Sequence, residues 1–393
     1  MSISTEPFIP YGRQTITESD ISSVVDVLRS PYLTQGPAVP AFEQALAAKV
    51  NATHGVAVNS ATSALHVACL ALGLGPGDRL WTSPITFVAS ANCGLYCGAQ
   101  VDFVDINPLT MNIDIEKLAD KLRLAKQKNK LPKILISVHF SGLSCDMSAI
   151  KKLSDEYGFF IIEDACHALG GSYGDNKIGS CSFSDLAVFS FHPVKSITTG
   201  EGGVVMTNSS SLAEKMMILR THGITKDPES MIKKEKDGPW YYEQIALGHN
   251  YRMTDIQAAL GSSQLKRLDK FIKKRNLIAD QYNKLLEDLP IQIPLIPPGY
   301  YSAFHIYVIR LNLNMISRSR LEIFEDLLSD GVGVSLHYIP IHLQPYYKNL
   351  GFKKGDFPAS EKYYNEAITL PIFFDLSSEQ QEKVVHSLKS AIR

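Results

Sequence analysis

Short segments that are apolar on both faces alternate with helix-prone segments over the middle of this chain. The sequence predicts strands at 55–58, 79–82, 100–104, 133–138, 159–163, 186–191 and 203–207. Segments with helical character lie between most of these strands. Strands that are buried on both faces and joined by helices are typical of a mainly parallel sheet. The sequence therefore predicts an α/β fold with three layers, in which helices cover both faces of the sheet.

A second, smaller domain is predicted after this alternating region. A long helical stretch from Thr254 to Leu286, with a possible break, would connect the two domains, and a proline-rich stretch follows it at 290–298. Strands at 303–311 and 332–338 and helices at 318–328 and 378–390 indicate an α+β arrangement. The predicted division is a large domain at 1–250, a connecting helix at 251–289, and a small C-terminal α+β domain at 290–393.

Charge and composition exclude several classes of partner. Lys and Arg number 39 against 40 Asp and Glu, so no basic surface for nucleic acid or an anionic membrane is expected. No apolar run approaches the length of a membrane span, and the first residues lack the pattern of a secretion signal. The six cysteines form no CxxC pair, and no histidine cluster completes a metal site. We therefore expect a cytoplasmic protein with free thiols and no bound metal.

A lysine stands just beyond the end of one predicted strand. The strand at 186–191 contains Ser190, and Lys195 follows among polar residues before the turn Gly200–Gly203. A lysine after a strand is, by itself, usually a solvated surface amine. A strand that delivers it to the floor of a cavity would instead present the amine to a carbonyl group. The surroundings of Lys195 in the sequence decide between these two interpretations.

An acidic residue at the end of another buried strand favours the second interpretation. Asp164 follows the strand at 159–163, at the edge where α/β proteins place ligand-binding groups. A buried carboxylate costs free energy unless a cation pairs with it, and a pyridinium nitrogen is such a cation. Asp164 and Lys195 are together the two groups that pyridoxal phosphate requires. They predict that cofactor, with Lys195 as the catalytic lysine.

Two further segments match the other parts of this cofactor. Ser60, Ala61 and Thr62 open a helix directly after a strand, and free N–H groups at helix N-termini bind phosphate. Ser190 would add a hydroxyl to that phosphate site. Phe87 begins a helix near the same sheet edge, where its ring would stack on the cofactor. The simpler alternatives are a plain N-cap for Ser60 and core packing for Phe87.

Five motifs in this order resemble those of a known family. They are Asn59–Ser63, Thr86–Ala89, Glu163–Gly170, Phe189–Lys195 with Gly200–Gly203, and Gly248–Met253. With them the chain resembles the DegT-like family of nucleotide-sugar aminotransferases, which are pyridoxal phosphate enzymes of fold type I. The similarity covers essentially the whole chain, as far as His337–His342.

The resemblance implies a role for each matching residue. Lys195 would bind the cofactor covalently, Asp164 would bind its pyridine nitrogen, and Phe87 would stack on its ring. His167 would lie near the 3′-oxygen, at a position where most of the wider family has Gln. The residues that would hold the phosphate are Ser60, Ala61, Thr62, Ser190 and, from the partner subunit of a homodimer, Asn250. Arg252, His337 and Tyr338 would contact the substrate, although packing is an equal alternative for His337.

The resemblance also implies a substrate. Cys166–Gly170, Ser190–His192 and Ile197–Thr199 are similar to a subgroup that makes the 4-amino sugar of pseudaminic acid biosynthesis. L-Glutamate would then donate its amino group to C4 of a UDP-linked 4-keto-6-deoxy sugar, UDP-2-acetamido-2,6-dideoxy-β-L-arabino-hexos-4-ulose. The D-xylo epimer used in bacillosamine-type pathways and a 3-amino sugar reaction remain alternatives.

Two other classes of protein share this fold. A sugar dehydratase would lack the lysine, typically with His in its place, so Lys195 argues against it. A non-catalytic regulator that binds pyridoxal phosphate would keep the fold and lose parts of the site. The joint presence of Lys195, Asp164 and the phosphate segment argues against that class as well.

Overall fold

The structure, a computed structural model, describes residues 8–232 and 238–393. The helices are α1 (Glu18–Leu28), α2 (Ala38–Val50), α3 (Ala61–Ala71), α4 (Ala89–Tyr96), α5 (Ile115–Gln127), α6 (Met147–Tyr157), α7 (Ser210–Leu219), α8 (Asp255–Leu265), α9 (Leu268–Leu285), α10 (Arg320–Ser329), α11 (Pro345–Asn349), α12 (Pro358–Glu366) and α13 (Ser378–Ile392). The strands are β1 (His54–Val58), β2 (Arg79–Thr82), β3 (Gln100–Phe103), β4 (Ile134–Val138), β5 (Phe160–Asp164), β6 (Ser172–Tyr173), β7 (Asn176–Lys177), β8 (Leu186–Ser190), β9 (Gly203–Thr207), β10 (Ile224–Thr225), β11 (Glu243–Gln244), β12 (Ile291–Gln292), β13 (Tyr300–Tyr301), β14 (Tyr307–Leu311) and β15 (Ala367–Leu370).

The central sheet has seven strands in the order β1-β9-β8-β5-β4-β2-β3. The pairs from β8 to β3 are parallel, while β9 runs antiparallel to both of its neighbours, β8 and β1. The prediction of a mainly parallel sheet is therefore confirmed. In the pairing of β5 with β8, Asp164 lies opposite Val188, so the carboxyl ends of these two strands meet at one edge of the sheet.

Alternate residues of the inner strands pack against helices on opposite faces. On β4, Ile134 and Ile136 belong to a core that includes Leu65 of α3. Leu135, between them, packs in a second core with Leu118 of α5 and with residues of α6. Because both faces are covered, every residue of β4 is buried, which explains why the strands are apolar throughout.

A separate core joins the C-terminal residues to the start of the described chain. The antiparallel sheet β12-β14-β15 packs with α9, α10 and α13. Ile9 belongs to the same core, because it pairs with Val332 through an isolated bridge. The division at residues 250 and 290 stays a prediction, with residues 1–7 and 233–237 outside the described part.

The possible break in the long helical stretch is confirmed, because the stretch forms two helices, α8 and α9, which are separated at Lys266–Arg267. The predicted strand at 332–338 is wrong. Val332 pairs with Ile9 and Ser335 with Thr369, so two different partners replace one continuous ladder. Helix α12 and strand β15, which pairs with β14, were not predicted from the sequence.

The helix α1 is attached to the rest of the fold by one buried carboxylate. A capping box begins this helix, with Thr17 as the N-cap and Asp20 as its partner. Asp20 is fully buried, and it accepts hydrogen bonds from Ser263 at 2.7 Å and Gln264 at 2.9 Å, as well as an ion pair from Arg267. Burial acts to raise the pKa of Asp20, but these hydrogen bonds outweigh it and lower the pKa.

None of the helices in residues 8–232 and 238–393 combines the length and the apolar character that a membrane span needs.

Replacing Asp20 by Ala should reduce the free energy of unfolding by about 2–4 kcal/mol, because it leaves buried donors and the Arg267 cation without a partner. Urea unfolding followed by circular dichroism measures this loss. Because a lowered pKa stabilises the fold only while the carboxylate is charged, the difference from wild type should be complete above a pH of about 4 and should shrink as the pH falls below it. Asp26→Ala on the same helix is the control, and an equal loss there would contradict the assignment.

Candidate active site

A cavity of about 470 Å³ opens at the carboxyl ends of β5 and β8. It is bordered by the N-terminus of α3, the segment before α4, and residues near 305 and 337. The predicted site residues that line it are Ser60, Ala61, Thr62, Phe87, Asp164, His167, Ser190, Lys195, His337 and Tyr338. The fold thus brings together residues that are far apart in the sequence.

Asp164 is buried at the end of β5 and lies in this cavity. One carboxylate oxygen accepts a hydrogen bond from Oγ of Ser90 at 2.6 Å, and the other accepts from the backbone N–H of Cys166 at 3.2 Å. Among the described residues, Asp164 has no ion-pair partner. Hydrogen bonds orient this carboxylate but leave its charge without a cation, so the site favours a ligand that carries one.

Lys195 extends into the same cavity, where its Nζ lies 3.4 Å from Nε2 of His305. Burial lowers the pKa of Lys195, although the nearby Cys166 and Asp164 act in the opposite direction. A lower pKa increases the fraction of neutral amine, which is the form that attacks a carbonyl group.

Three imidazoles surround the lysine, and all of them are neutral near pH 7. Burial, reinforced by the positive charge of Lys195, holds the pKa of His167 and His305 well below the usual range and lowers that of His337 to about 4. Nε2 of His167 lies 3.0 Å from the hydroxyl oxygen of Tyr338. His337 contacts Oγ1 of Thr369 at 2.9 Å. The residues around the lysine therefore add no further positive charge from histidine.

The N-terminus of α3 forms the opposite end of the cavity. Ser60 is the N-cap, and its hydroxyl accepts a hydrogen bond from the backbone N–H of Ser63 at 3.1 Å. The simpler interpretation of Ser60 as a cap is therefore correct, and its role with phosphate stays a prediction. The first-turn N–H groups of Ala61 and Thr62 lack intrahelical acceptors, as in every α-helix, and they border the cavity.

Strand β9 lies unusually close to this helix end. A Cβ atom at Gly203 would lie 2.6 Å from the carbonyl oxygen of Ser60 and 2.7 Å from the backbone nitrogen of Ala61. Only glycine allows that approach. Gly200, with a φ of 77°, forms the preceding turn. The glycine-rich turn therefore brings the chain close to the helix that borders the cavity.

Phe87 lies at the mouth of the cavity and is not part of the core. Its side chain is 58% exposed, and its ring lies 6.3 Å from that of Tyr338. The alternative of core packing is therefore wrong for Phe87. Its role in stacking on a cofactor ring stays a prediction.

Two of the predicted residues lie outside the cavity of this chain. Asn250 is exposed and forms a backbone bridge with Thr221, and Arg252 forms one with Val58. Neither side chain lines the cavity. Their roles with a partner subunit or a substrate stay predictions.

The structure places in the site three further residues that were not predicted from the sequence. Ser90 lies four residues after Thr86, and their hydroxyl oxygens are 2.7 Å apart, so this helical spacing was an available signal. Tyr11 lines the cavity with its ring 5.4 Å from that of His337, and His305 contacts Lys195. Nothing local in the sequence indicates either of these two contacts.

Comparison with known proteins gives a consistent result. A sequence model of the DegT/DnrJ/EryC1/StrS aminotransferase family matches residues 14–389. The spore coat polysaccharide biosynthesis protein SpsC of Bacillus subtilis is 38% identical, over 98% of this chain and 97% of the relative. A protein of Campylobacter jejuni named UDP-4-amino-4,6-dideoxy-N-acetyl-beta-L-altrosamine transaminase is 37% identical, over 98% of this chain and 97% of the relative.

Solved structures agree along the whole chain. Helicobacter pylori PseC, described as an aminotransferase of pseudaminic acid biosynthesis, superimposes with a TM-score of 0.89 at 32% identity, over 98% of this chain and 99% of that one. Spr1654 of Streptococcus pneumoniae, described as a sugar aminotransferase in its PLP-form, superimposes with a TM-score of 0.87 at 29% identity, over 98% of each chain. Pyridoxal phosphate is therefore the cofactor, and the fold is that of these aminotransferases.

The cavity has groups that fit each part of this cofactor. Asp164 supplies an unpaired negative charge for the pyridinium nitrogen, and Nδ1 of the buried His167 has no hydrogen-bond partner in residues 8–232 and 238–393. Lys195 supplies the amine for covalent attachment. The N-terminus of α3 supplies backbone donors for the phosphate.

Asp164→Asn should lower the turnover rate by a factor on the order of 10²–10³, because a neutral amide does not hold a proton on the pyridine nitrogen. The melting temperature of the cofactor-free protein should not fall. The amide oxygen can still accept from the backbone N–H of Cys166, its NH2 group can donate to Oγ of Ser90, and the substitution removes an unpaired buried charge. Steady-state rates and thermal melting test both points.

Asp185→Asn is the matched control. Asp185 precedes β8 and accepts a hydrogen bond from the backbone N–H of Ile161 at 2.8 Å, away from the cavity. Its amide oxygen can still accept from Ile161, and burial already disfavours the charge of Asp185 by raising its pKa, so this variant should keep both its thermal stability and its turnover rate. An equal loss of stability and rate in Asp164→Asn would mean that Asp164 is a structural carboxylate.

Proposed function

The chain belongs to the DegT/DnrJ/EryC1/StrS family and is a sugar aminotransferase that uses pyridoxal phosphate, and we propose that it makes UDP-4-amino-4,6-dideoxy-N-acetyl-β-L-altrosamine. The acceptor would be UDP-2-acetamido-2,6-dideoxy-β-L-arabino-hexos-4-ulose, aminated at C4, and the donor would be L-glutamate. The observation that carries the proposal is the enclosed amine of Lys195 in one cavity with the unpaired carboxylate of Asp164. The similarity to the Campylobacter jejuni protein, which is 37% identical over 98% of this chain, supports this sugar.

Pyridoxal phosphate, when bound, supplies a protonated ring that withdraws electrons from the carbon atom next to the transferred nitrogen. Asp164 would keep that ring protonated through its carboxylate, which Ser90 and Cys166 hold in place. Ser60, Ala61, Thr62 and Ser190 would fix the phosphate, and Phe87 would cover the ring. These residues orient the reacting groups and do not themselves change chemically.

Lys195 is the group that moves protons in this proposal. Its Nζ would accept the proton that leaves the α-carbon of glutamate and return it later in the cycle. The lowered pKa of Lys195 suits this role, because an amine accepts a proton only in its neutral form. His167 and His337, neutral near pH 7, would contact polar groups of the bound molecules without adding charge.

We further propose that the active unit is a homodimer in the cytoplasm. Asn250 is exposed and lies outside the cavity of its own chain, as expected if it completes the phosphate site of a partner. Large apolar side chains that precede it in the sequence are also exposed, with Leu247 at 82% and Trp240 at 73%. A second copy of the chain would cover such side chains. Arg252 would then approach the substrate from the same interface.

A panel of UDP-linked keto sugars tests the acceptor. The protein is incubated with glutamate and either the β-L-arabino 4-keto sugar, its D-xylo epimer or a 3-keto sugar, and products are identified by mass spectrometry and NMR. We expect the altrosamine product with the highest kcat/KM for the first. A preference for the D-xylo epimer would instead favour the bacillosamine-type alternative.

Lys195→Ala is the control for chemistry in the same assay. It should form no product above background, while it still binds the cofactor without a covalent bond. Turnover at the wild-type rate would refute the role of Lys195. A wild-type protein that binds pyridoxal phosphate and aminates none of the sugars would favour the regulator over the enzyme.

A further inference from the structure

His305 is a buried histidine next to the reactive lysine whose role the proposed reaction leaves open. It lies in the segment that leads into β14, and 110 residues separate it from Lys195 in the sequence. Its Nε2 is 3.4 Å from Nζ of Lys195, and its side chain is almost fully buried. Within residues 8–232 and 238–393, this contact is the only hydrogen bond that Nζ makes. Among the described residues, this imidazole is therefore the group best placed to hold the amine.

The backbone of His305 is fixed on both sides. Its N–H donates to the carbonyl oxygen of Ser141 at 3.0 Å, and its own carbonyl oxygen accepts from Nη1 of Arg275 at 3.0 Å. The same guanidinium nitrogen donates to the carbonyl oxygens of Phe304 and Ile372. Arg275 is itself buried in α9 and has no ion-pair partner in the described part of the chain. The imidazole thus has a rigid attachment, with little freedom to leave the lysine.

The surroundings of His305 keep its ring neutral. Burial is the main cause of its low pKa, and the positive charge of Lys195 and then His167, Arg275 and His337 act in the same direction. The ring of His167 lies 4.3 Å away, centre to centre, and it is neutral as well. A neutral imidazole with its proton on Nδ1 has a free acceptor at Nε2. The N–H groups of Lys195 are the donors within reach of that acceptor.

The second ring nitrogen of His305 is evidence against a purely structural role. Nδ1 is buried and has no hydrogen-bond partner in residues 8–232 and 238–393. A histidine that served only to pack the core would be expected to have its buried nitrogen paired, because an unpaired one costs about 1–3 kcal/mol. The cost of leaving Nδ1 unpaired is tolerated at a site where Nε2, the other ring nitrogen, holds the reactive amine.

We propose that His305 is a positioning residue that holds the free ε-amine of Lys195 through Nε2 and directs it at the cofactor aldehyde. The inference builds on the proposed function only in the use of pyridoxal phosphate by Lys195, and it needs neither the sugar nor the amino donor. When Lys195 attaches, its nitrogen replaces the aldehyde oxygen, which leaves as water together with the two amine protons. A misplaced amine slows this step without changing the affinity of the cavity for the rest of the cofactor.

The experiment compares two ligands of the cofactor-free protein. Pyridoxamine phosphate has the same ring and phosphate but no aldehyde, so its affinity reports on the cavity alone. The rate at which pyridoxal phosphate forms its yellow covalent product reports on Lys195. His305→Phe, which keeps a ring but no acceptor, should slow covalent attachment by roughly tenfold or more. Its affinity for pyridoxamine phosphate, measured by calorimetry, should stay within about twofold of wild type.

His305→Gln separates positioning from space filling. Its amide oxygen can replace Nε2 as an acceptor, so it should restore most of the attachment rate. His386→Gln, at an exposed position on α13, should leave both measurements unchanged. Wild-type attachment in His305→Phe would overturn the proposal. A parallel loss of rate and of pyridoxamine phosphate affinity in both His305 variants would also overturn it, because it would assign His305 to the shape of the cavity.

Discussion

The buried carboxylate of Asp164 is the group on which the rest of the site depends. It lies at the end of β5 with two hydrogen bonds and, within residues 8–232 and 238–393, no cation. The fold can tolerate the free-energy cost of a buried, unpaired charge because the surrounding sheet is rigid and apolar on both faces. The adjacent ends of β5 and β8 then fix the distance between the carboxylate and the chain that carries Lys195. In the proposed function the cofactor would be bound between these two groups, at the sheet edge where parallel strands leave free polar groups.

Local signals in the sequence were sufficient for much of this arrangement. Strands that are apolar on both faces predicted the sheet. Asp164 and Ser190 at the ends of strands, and Ser60 at the start of a helix, were identified from their positions in the sequence alone. The residues that were missed depend on contacts across the fold. His305 reaches Lys195 only because β14 and α9 pack beside the large sheet, and Tyr11 enters the cavity only through the pairing of Ile9 with Val332. The two-residue period of strands and the period of three to four residues of helices carry no information about such contacts.

The errors in the second half of the chain have a similar origin. The segment at 332–338 contains β-prone Val332, Val334 and Tyr338, but its backbone groups pair with two different segments, at Ile9 and Thr369. The strand that does complete the small sheet, β15, follows α12 directly and gives a weaker signal. Burial determines which residues are apolar, whereas pairing determines which of them form strands. The sequence therefore indicates burial more directly than it indicates which segments pair as strands.

The path of the first residues has a consequence for how the protein is made. Ile9 pairs with Val332, the carbonyl oxygen of Tyr11 accepts from the backbone N–H of Ile372, and Tyr11 lines the cavity. During synthesis the N-terminal segment leaves the ribosome first, but its pairing partners emerge last. The large sheet can form around β5 and β8 while that segment is still without a place to bind. The catalytic cavity is therefore completed only when nearly the whole chain has been translated.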